Sequence, residues 1–526
     1  MNLLRAITTV GGYTMLSRVF GFARDILIAA VLGAGAVADC FFVAFRFPNL
    51  FRRLFAEGAF AAAFVPLFSG ELEKKGPGAA KAFAEDAFAT LAQILVVFVA
   101  AMEVAMPWAM WVLAPGFDAV PGKMALASDL SRIAFPYLLF ISLVSLQSGV
   151  LNSLGKFAAA AAAPVLLNLT LIVAMLAFAK EEARAGHVLA WAVFAAGVIQ
   201  FLWLAHHCRK EGMPVRLRCP KLTPEVRLLG RRILPVVFGA SLYQINLLIG
   251  TILASLVADG AVSYLYYADR LVQLPLGVVG VAVGTALLPA LSRQLAAGDA
   301  VAARASQNRG LEFALLLTLP AAAALFVVAQ PIVTVLFERG QFSAADTQAT
   351  AAALMAYATG LPAYVLIRVL TPGFFARENT KTPVKIAAAA MLANIALNLG
   401  LMQVWGHVGI ALAASVSAWI NAIALGVALW RRGQLDFDTR LKSRWPRIAA
   451  ASLAMAAALW GAALWLAPWL GSSGPGHGPL RWAALAALVG FGLVLFALLA
   501  QVLGAAHWKD LKALRRRAPE AAPDVA

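Results

Sequence analysis

Charge is what this sequence has least of: Asp, Glu, Lys and Arg make up 13% of its 526 residues, while 62% are hydrophobic. No water-soluble fold needs that much apolar surface, so a soluble globular protein is excluded. Acid is scarcer than base, 26 residues against 43, for a net charge of +17. Cysteine is nearly absent. Cys40, Cys208 and Cys219 form no even, closely spaced set, which excludes a disulfide framework. His206-His207-Cys208 with Cys219 fits no common zinc spacing. No G-x-x-x-x-G-K-[ST] loop occurs, because Gly155-Lys156 runs into Phe157 without the upstream glycine, and this excludes an ATP-hydrolysing loop of that type. The start MNLLRAITTV has no small-residue cleavage site, so no removed signal peptide is expected.

What is there instead is hydrophobic length. Apolar stretches of about 20 residues, enough to cross a ~30 Å hydrocarbon core, recur along the chain. Fourteen candidate spans run from 8–33 to 480–504, and the mean hydropathy is +0.81. The basic residues lie in short loops between spans, a topology signal rather than a nucleic-acid surface. With the N-terminus inside, cytoplasmic loops and tails hold about 30 basic residues and the opposite loops about four, Lys123, Lys180, Arg184 and Arg339. Both termini are therefore expected in the cytoplasm. The longest basic loop, 209–227, is the expected seam between a lobe at 1–208 (spans 1–6) and a lobe at 228–432 (spans 7–12). Two further spans occupy 433–505, and 506–526 is a basic cytoplasmic tail. The outer loops are too short to fold into a catalytic domain, so no enzyme is expected.

Against this background the run from Thr14 to Gly70 is anomalous. It carries Arg18, Arg24, Asp25, Asp39, Arg46, Arg52, Arg53 and Glu57 inside segments that read as membrane-spanning. An ionisable group in a bilayer costs several kcal/mol unless it faces water or a partner, so it reads as functional by default. Arg18 and Asp25, seven apart, share a helix face; Arg46, Asn49, Arg53 and Glu57 form another, from which Arg52 points away unless the helix breaks nearby. Pro48 and Gly58 offer places where the helix is expected to break or tilt. Asp269, Arg270 and Arg368 extend the pattern into the second half, after the aromatic Tyr264, Tyr266 and Tyr267. Some arginines are expected to be clips on nearby acids. The surplus of arginine points to a bound anion, because the planar guanidinium matches phosphate and carboxylate.

The halves also look related. Segment 44–72 and segment 268–295 each run from an arginine through a small-residue helix to an apolar–Pro–x–x–Ser ending, and GVLNSLGKF (149–157) resembles GFFARENTK (373–381). Equivalent segments fall on the same side of the membrane, which implies a repeat about an axis along its normal.

TMLSRVFGFARDILIAAVLGAGAVADCFFVAFRFPNLFRRLFAEGAFAAAFVPLFSG resembles the first two helices of the bacterial lipid II flippase family, MurJ (MviN). SYLYYADRLVQLPLGVVGVAVGTALLPALS and KTPVKIA resemble its eighth and eleventh helices, and the similarity runs to the last span. The resemblance implies an all-α polytopic protein of the multidrug/oligosaccharidyl-lipid/polysaccharide exporter superfamily. It would have two six-helix lobes in a MATE-like exporter fold, and two extra C-terminal helices lining a lipid groove. It implies alternating-access transfer of lipid II, undecaprenyl pyrophosphate carrying a disaccharide pentapeptide, from the inner to the outer leaflet of the bacterial inner membrane. Further expected partners are membrane lipids and the cell-wall synthesis machinery. By the same resemblance Arg18, Arg24, Arg52 and Arg270 match required substrate-binding arginines, with Asp25 and Asp39 beside them. Arg53, Glu57, Asp269 and Gln273 take structural or gating roles, although relatives carry an acid where this chain has Gln273. Some members bind sodium; here the matching positions offer Gln244 or Asn246 with Asn394 and Asn398. Amides alone are poor sodium ligands, so no metal and no cofactor are expected. The drive is expected from the membrane potential, an ion gradient or outward consumption of the product. The alternatives are a flippase for another polyprenyl-linked oligosaccharide and a drug exporter, whose cavity calls for acids rather than arginines.

Overall fold

The computed structural model describes residues 3–55, 59–179, 181–471 and 478–506; some helical positions, Arg53 among them, are described by backbone alone. Among these residues there is no strand. The helices, in chain order, are α1 Leu3–Leu32, α2 Ala36–Phe55, α3 Ala59–Leu113, α4 Lys123–Ala134, α5 Tyr137–Ser153, α6 Phe157–Phe178, α7 Glu182–Lys210 and α8 Pro224–Ser255. They continue as α9 Ala261–Ala296, α10 Ala300–Val327, α11 Ala329–Phe337, α12 Ala344–Ala358, α13 Leu361–Phe375, α14 Lys381–Arg431, α15 Thr439–Leu470 and α16 Pro479–Val502. Among the described residues nine helical segments are long and apolar enough to cross a membrane. The chain is an integral membrane protein.

Helix length explains where the chain must turn. A straight α3 of 55 residues would run roughly 80 Å, more than twice the hydrocarbon thickness. It is broken at Gly76 (φ 83°, ψ 178°), and α14 at Gly406 (φ 56°, ψ −132°). Pro48 does not end α2, which continues to Phe55. A proline removes one backbone hydrogen bond and bends the helix, and neighbouring helices tolerate that in a membrane. Gly58 and Glu57 lie outside the described residues. Where α3 turns, Lys75 Nζ stands 3.0 Å from Glu71 and 3.3 Å from Glu225 in the first turn of α8. The backbone N–H of Glu225 itself, and then Lys75, hold the Glu225 carboxyl below its usual range.

The described chain packs as two units, residues 1–263 with 339–343, and residues 264–338 with 344–526. The packing seam follows Ser263, one helix beyond the basic loop at 209–227 where the sequence places the seam of the repeat. In the first unit α6 packs on α1 and α7, α5 on α3 and α7, and α8 on α3 and α2. In the second α10 packs on α13 and α15, α13 on α14, and α15 on α16. Leu287, Leu311, Val369, Phe374, Leu425 and Leu441 form part of its core.

Each unit carries the same broken span. The first breaks between α4 and α5 at Pro136, the second between α12 and α13 at Gly360, 224 positions later. Both then close on a left-handed residue, Gly155 (φ 73°) and Glu378 (φ 58°). In each case the next amide donates five residues back, Lys156 to Leu151 and Asn379 to Phe374. The internal repeat read from 149–157 and 373–381 is thus visible in backbone geometry, with the left-handed residues one position out of that alignment.

The loop 339–343 packs in the first unit, where the Gln341 N–H donates to the Ala30 carbonyl at 2.9 Å. Gly340 has φ +58°, and a Cβ there would lie 2.1 Å from the Ala30 oxygen. Gly340→Ala is therefore expected to cost about 1–2 kcal/mol in backbone strain alone, and more with the clash. Thermal unfolding in detergent checks this, and an unchanged midpoint would show the loop has room to move.

Candidate functional site

Arg24 and Asp25 are both buried in α1, at 5% and 3% exposure. Arg24 Nε and Nη2 donate to Asp25 Oδ1 at 3.0 and 2.6 Å, and Nη1 donates to Asn168 Oδ1 on α6 at 2.9 Å. Asn168 Nδ2 in turn donates to the Ser17 carbonyl at 3.0 Å, and the Arg24 guanidinium lies 5.6 Å from the Phe45 ring centre. A lysine carries its three donors on one nitrogen and lacks the planar fork that here spans Asp25 and Asn168. Arg18, two turns earlier, is exposed, and its side chain has no hydrogen bond or ion pair among the described residues. Asp25 therefore takes Arg24 as a partner, while Arg18 keeps its charge on the surface.

On α2, Arg46 Nη1 donates to Thr251 Oγ1 of α8 at 2.5 Å. Arg52 Nε donates to Asn49 Oδ1 at 3.0 Å, near the end of α2, so its side chain reaches back to the face that Asn49 occupies. The i, i+3 spacing and the length of the arginine side chain allow that reach. The side chain of Arg53 and all of Glu57 lie outside the described residues.

Asp39 is fully buried at 0% exposure and is held by four donors. Lys123 Nζ donates at 2.8 Å, the Gly260 N–H at 2.8 Å, the Ser263 N–H at 2.9 Å and Ser263 Oγ at 2.7 Å. Lys123 is itself buried, sits 4.2 Å from the Phe117 ring centre and also donates to Asp259 at 2.5 Å. One carboxylate thus pins the turn between α8 and α9 to α2 and to the start of α4. Sequence spacing could not show Lys123, Asp259, Ser263 or Asn168 as partners. The one available signal was that Lys123 is among the few basic residues on its face of the chain.

In the second unit Arg270 Nη2 donates to Tyr266 Oη at 2.9 Å, with its guanidinium 4.8 Å from that ring centre. Asp269 accepts from the Gln273 amide one turn later, so Gln273 is a donor to its neighbour. Arg368 is exposed on α13. Asn398 Nδ2 donates to Asn394 Oδ1 at 2.9 Å, and both are buried. Gln244 is buried on α8 in the other unit, and the Asn246 side chain lies outside the described residues. Among the described residues no three His, Cys, Asp or Glu side chains cluster as metal ligands.

The geometry is of a many-helix membrane protein with two similar halves and arginines in its spans, and the comparisons with known proteins agree with it. The family profile described as "Lipid II flippase MurJ" matches residues 28–475. The chain belongs to the MurJ family. It is 47% identical over 459 residues to the "Probable lipid II flippase MurJ" of Rhizobium tropici, with 86% of each chain covered. It is 40% identical over 437 residues to the "Lipid II flippase MurJ" of Burkholderia cenocepacia, covering 82% of this chain and 85% of that one. Among solved structures it is similar to "Lipid II flippase MurJ, inward closed conformation", with TM-score 0.77, 24% identity, and 96% and 99% of the two chains covered. An inward-facing multidrug resistance MATE family transporter of the MOP superfamily follows at TM-score 0.66 and 16% identity, covering 81% of this chain and 98% of that one. The chain thus has the fold of these two structures.

Proposed function

We propose that this chain flips lipid II from the inner to the outer leaflet of the bacterial inner membrane by alternating access. Membership of the MurJ family carries the reading, and the surplus of arginine over acid in the spans fits it. A pyrophosphate and its sugar-peptide head cannot cross hydrocarbon bare. Arg18, Arg24, Arg52 and Arg270 would replace its hydration with charge-assisted hydrogen bonds. Arg18 is the best placed of the four, being exposed and unspent, whereas Arg24 is already committed to Asp25 and Asn168. Tyr266, stacked under Arg270, holds that guanidinium in one orientation. The polyprenyl tail would stay in lipid along α15 and α16, within 433–505. The four-donor seat of Asp39 would act as a latch at the outer end of the molecule. The drive would come from the membrane potential, an ion gradient or consumption of the product outside, and no metal or cofactor takes part.

The test is a cell in which this chain is the only copy of its kind. Depletion should leave newly made lipid II on the inner face, measured by face-selective labelling, and re-expression should restore it to the outer face within the same culture. Lipid II reaching the outer face at the normal rate after depletion would overturn the reading. The fourteen-span topology with both ends inside is tested separately. A cysteine at Ser443 should react with a membrane-impermeant reagent only in opened cells, and one at Ser473 in intact cells. The reverse pattern would invert the topology.

A further inference from the structure

The second unit contains an apolar crevice of about 480 Å³ walled by α10, α13, α14 and α15. Leu311 and Leu370 lie along its floor, Trp430 and Trp445 flank it, and α16 contributes nothing to it. It is therefore distinct from a groove between the two C-terminal helices. Its walls carry almost no polar surface, and Lys442 is the one charged residue lining it. Lys442 is exposed and makes no ion pair among the described residues, unlike Arg444, which stands 2.5 Å from the buried Glu312. The segment 431–447 is basic in sequence, Arg431, Arg432, Arg440, Lys442, Arg444 and Arg447 against Asp436 and Asp438, and of these Arg440 and Arg444 pair with Glu312 on α10.

We infer that this crevice is a binding site for an anionic diacyl phospholipid, with an acyl chain between α10, α13, α14 and α15 and the phosphate on Lys442. An integral membrane protein meets acyl chains on its flanks, and an apolar crevice left empty forfeits the dispersion contacts of its lining. The chain supplies occupancy but no selectivity, because every bilayer lipid has one. Selectivity comes from the rim, where a cation without an acid partner attracts an anionic headgroup. Trp430 and Trp445 suit the mouth, since indole rings settle where hydrocarbon meets headgroup. Such a lipid would bridge α14 to α15 and so tie the extra C-terminal helices to the lobe.

The measurement needs no transport, so it stands or falls apart from the flippase reading. The purified full chain is exchanged into detergent with phosphatidylglycerol or phosphatidylcholine, and the retained lipids are counted by native mass spectrometry. One phosphatidylglycerol per chain should be held about fivefold more strongly than phosphatidylcholine. Lys442→Gln should bring that preference close to one. Gly426→Leu, which puts a side chain into the crevice, should remove the tightly held molecule altogether. A Cβ at Gly426 meets only Leu370, at 3.9 Å, so the backbone accepts substitution. If that variant does not fold, Lys442→Gln decides alone, since its side chain is exposed. Equal retention of the two lipids by the unmodified chain, or an unchanged preference in Lys442→Gln, would overturn the proposal. Displacement of the held lipid by undecaprenyl diphosphate would also overturn it, and would assign the crevice to a substrate tail.

Discussion

Asp39→Ala is expected to give a chain that reaches the membrane in small amounts, unfolds early and does not support growth as the only copy. The carboxylate is at 0% exposure with four donors on it, and its removal orphans the amides of Gly260 and Ser263. It also leaves Lys123 buried with Asp259 as its remaining carboxylate partner in the network described above, at a side-chain exposure of 46%. Breaking a buried charge pair from one side costs about 3–5 kcal/mol, a large part of the stability of most folds. The substitution should release a defined element, the turn between α8 and α9, so hydrogen exchange at residues 256–263 is the discriminating readout. Exchange there should rise at least tenfold while α6 and α7 keep their protection. Lys123→Met combined with Asp39→Ala should recover part of the thermal stability, because no buried charge is then left without a partner, yet the turn should stay loose. Unchanged exchange at 256–263 in Asp39→Ala would remove the latch.

The contrast between Asp39 and its partners shows how far a sequence can be read. Apolar runs set the helices, since each must shield its backbone in lipid, and every predicted span with described residues contains helix. The charges of α1 and α2 were legible because they violate that rule. Their partners were not. Asn168 lies 144 positions from Arg24 and Lys123 lies 84 from Asp39. Helical spacing reports only which residues share a face, so it offered Arg18 to Asp25, whereas the flexible Arg24 side chain folds back onto its own neighbour. Proline was only partly informative. Pro48 reads as a place to break or tilt; the helix passes through it, and breaks fall at Gly76, Pro136, Gly360 and Gly406. The matching breaks 224 residues apart were within reach of the repeat already visible in the sequence.

Arg18 and Arg24 should separate recognition from scaffolding most sharply. Both lie on α1. Only Arg24 is buried and spent: three of its donors go to Asp25 and Asn168. Arg24→Ala should therefore lower the amount of folded protein by leaving Asp25 buried without that partner, at a cost of about 3–5 kcal/mol. Arg24→Ala with Asp25→Ala should restore much of the folded protein, because the charge that needed the clip is gone. Arg18→Ala should leave thermal stability within about 0.5 kcal/mol, as expected of an exposed side chain without partners. Arg18→Lys should do the same, since charge is kept and only the planar fork is lost. If Arg18 binds pyrophosphate, both Arg18 variants should be made normally and fail to place lipid II on the outer face. If Arg24 is a clip alone, the double variant should flip lipid II. If it also binds substrate, the double variant should fold and not flip. Normal growth on Arg18→Ala and on the Arg24/Asp25 double variant alike would mean that neither residue recognises the anion, and recognition would have to rest on Arg52 and Arg270.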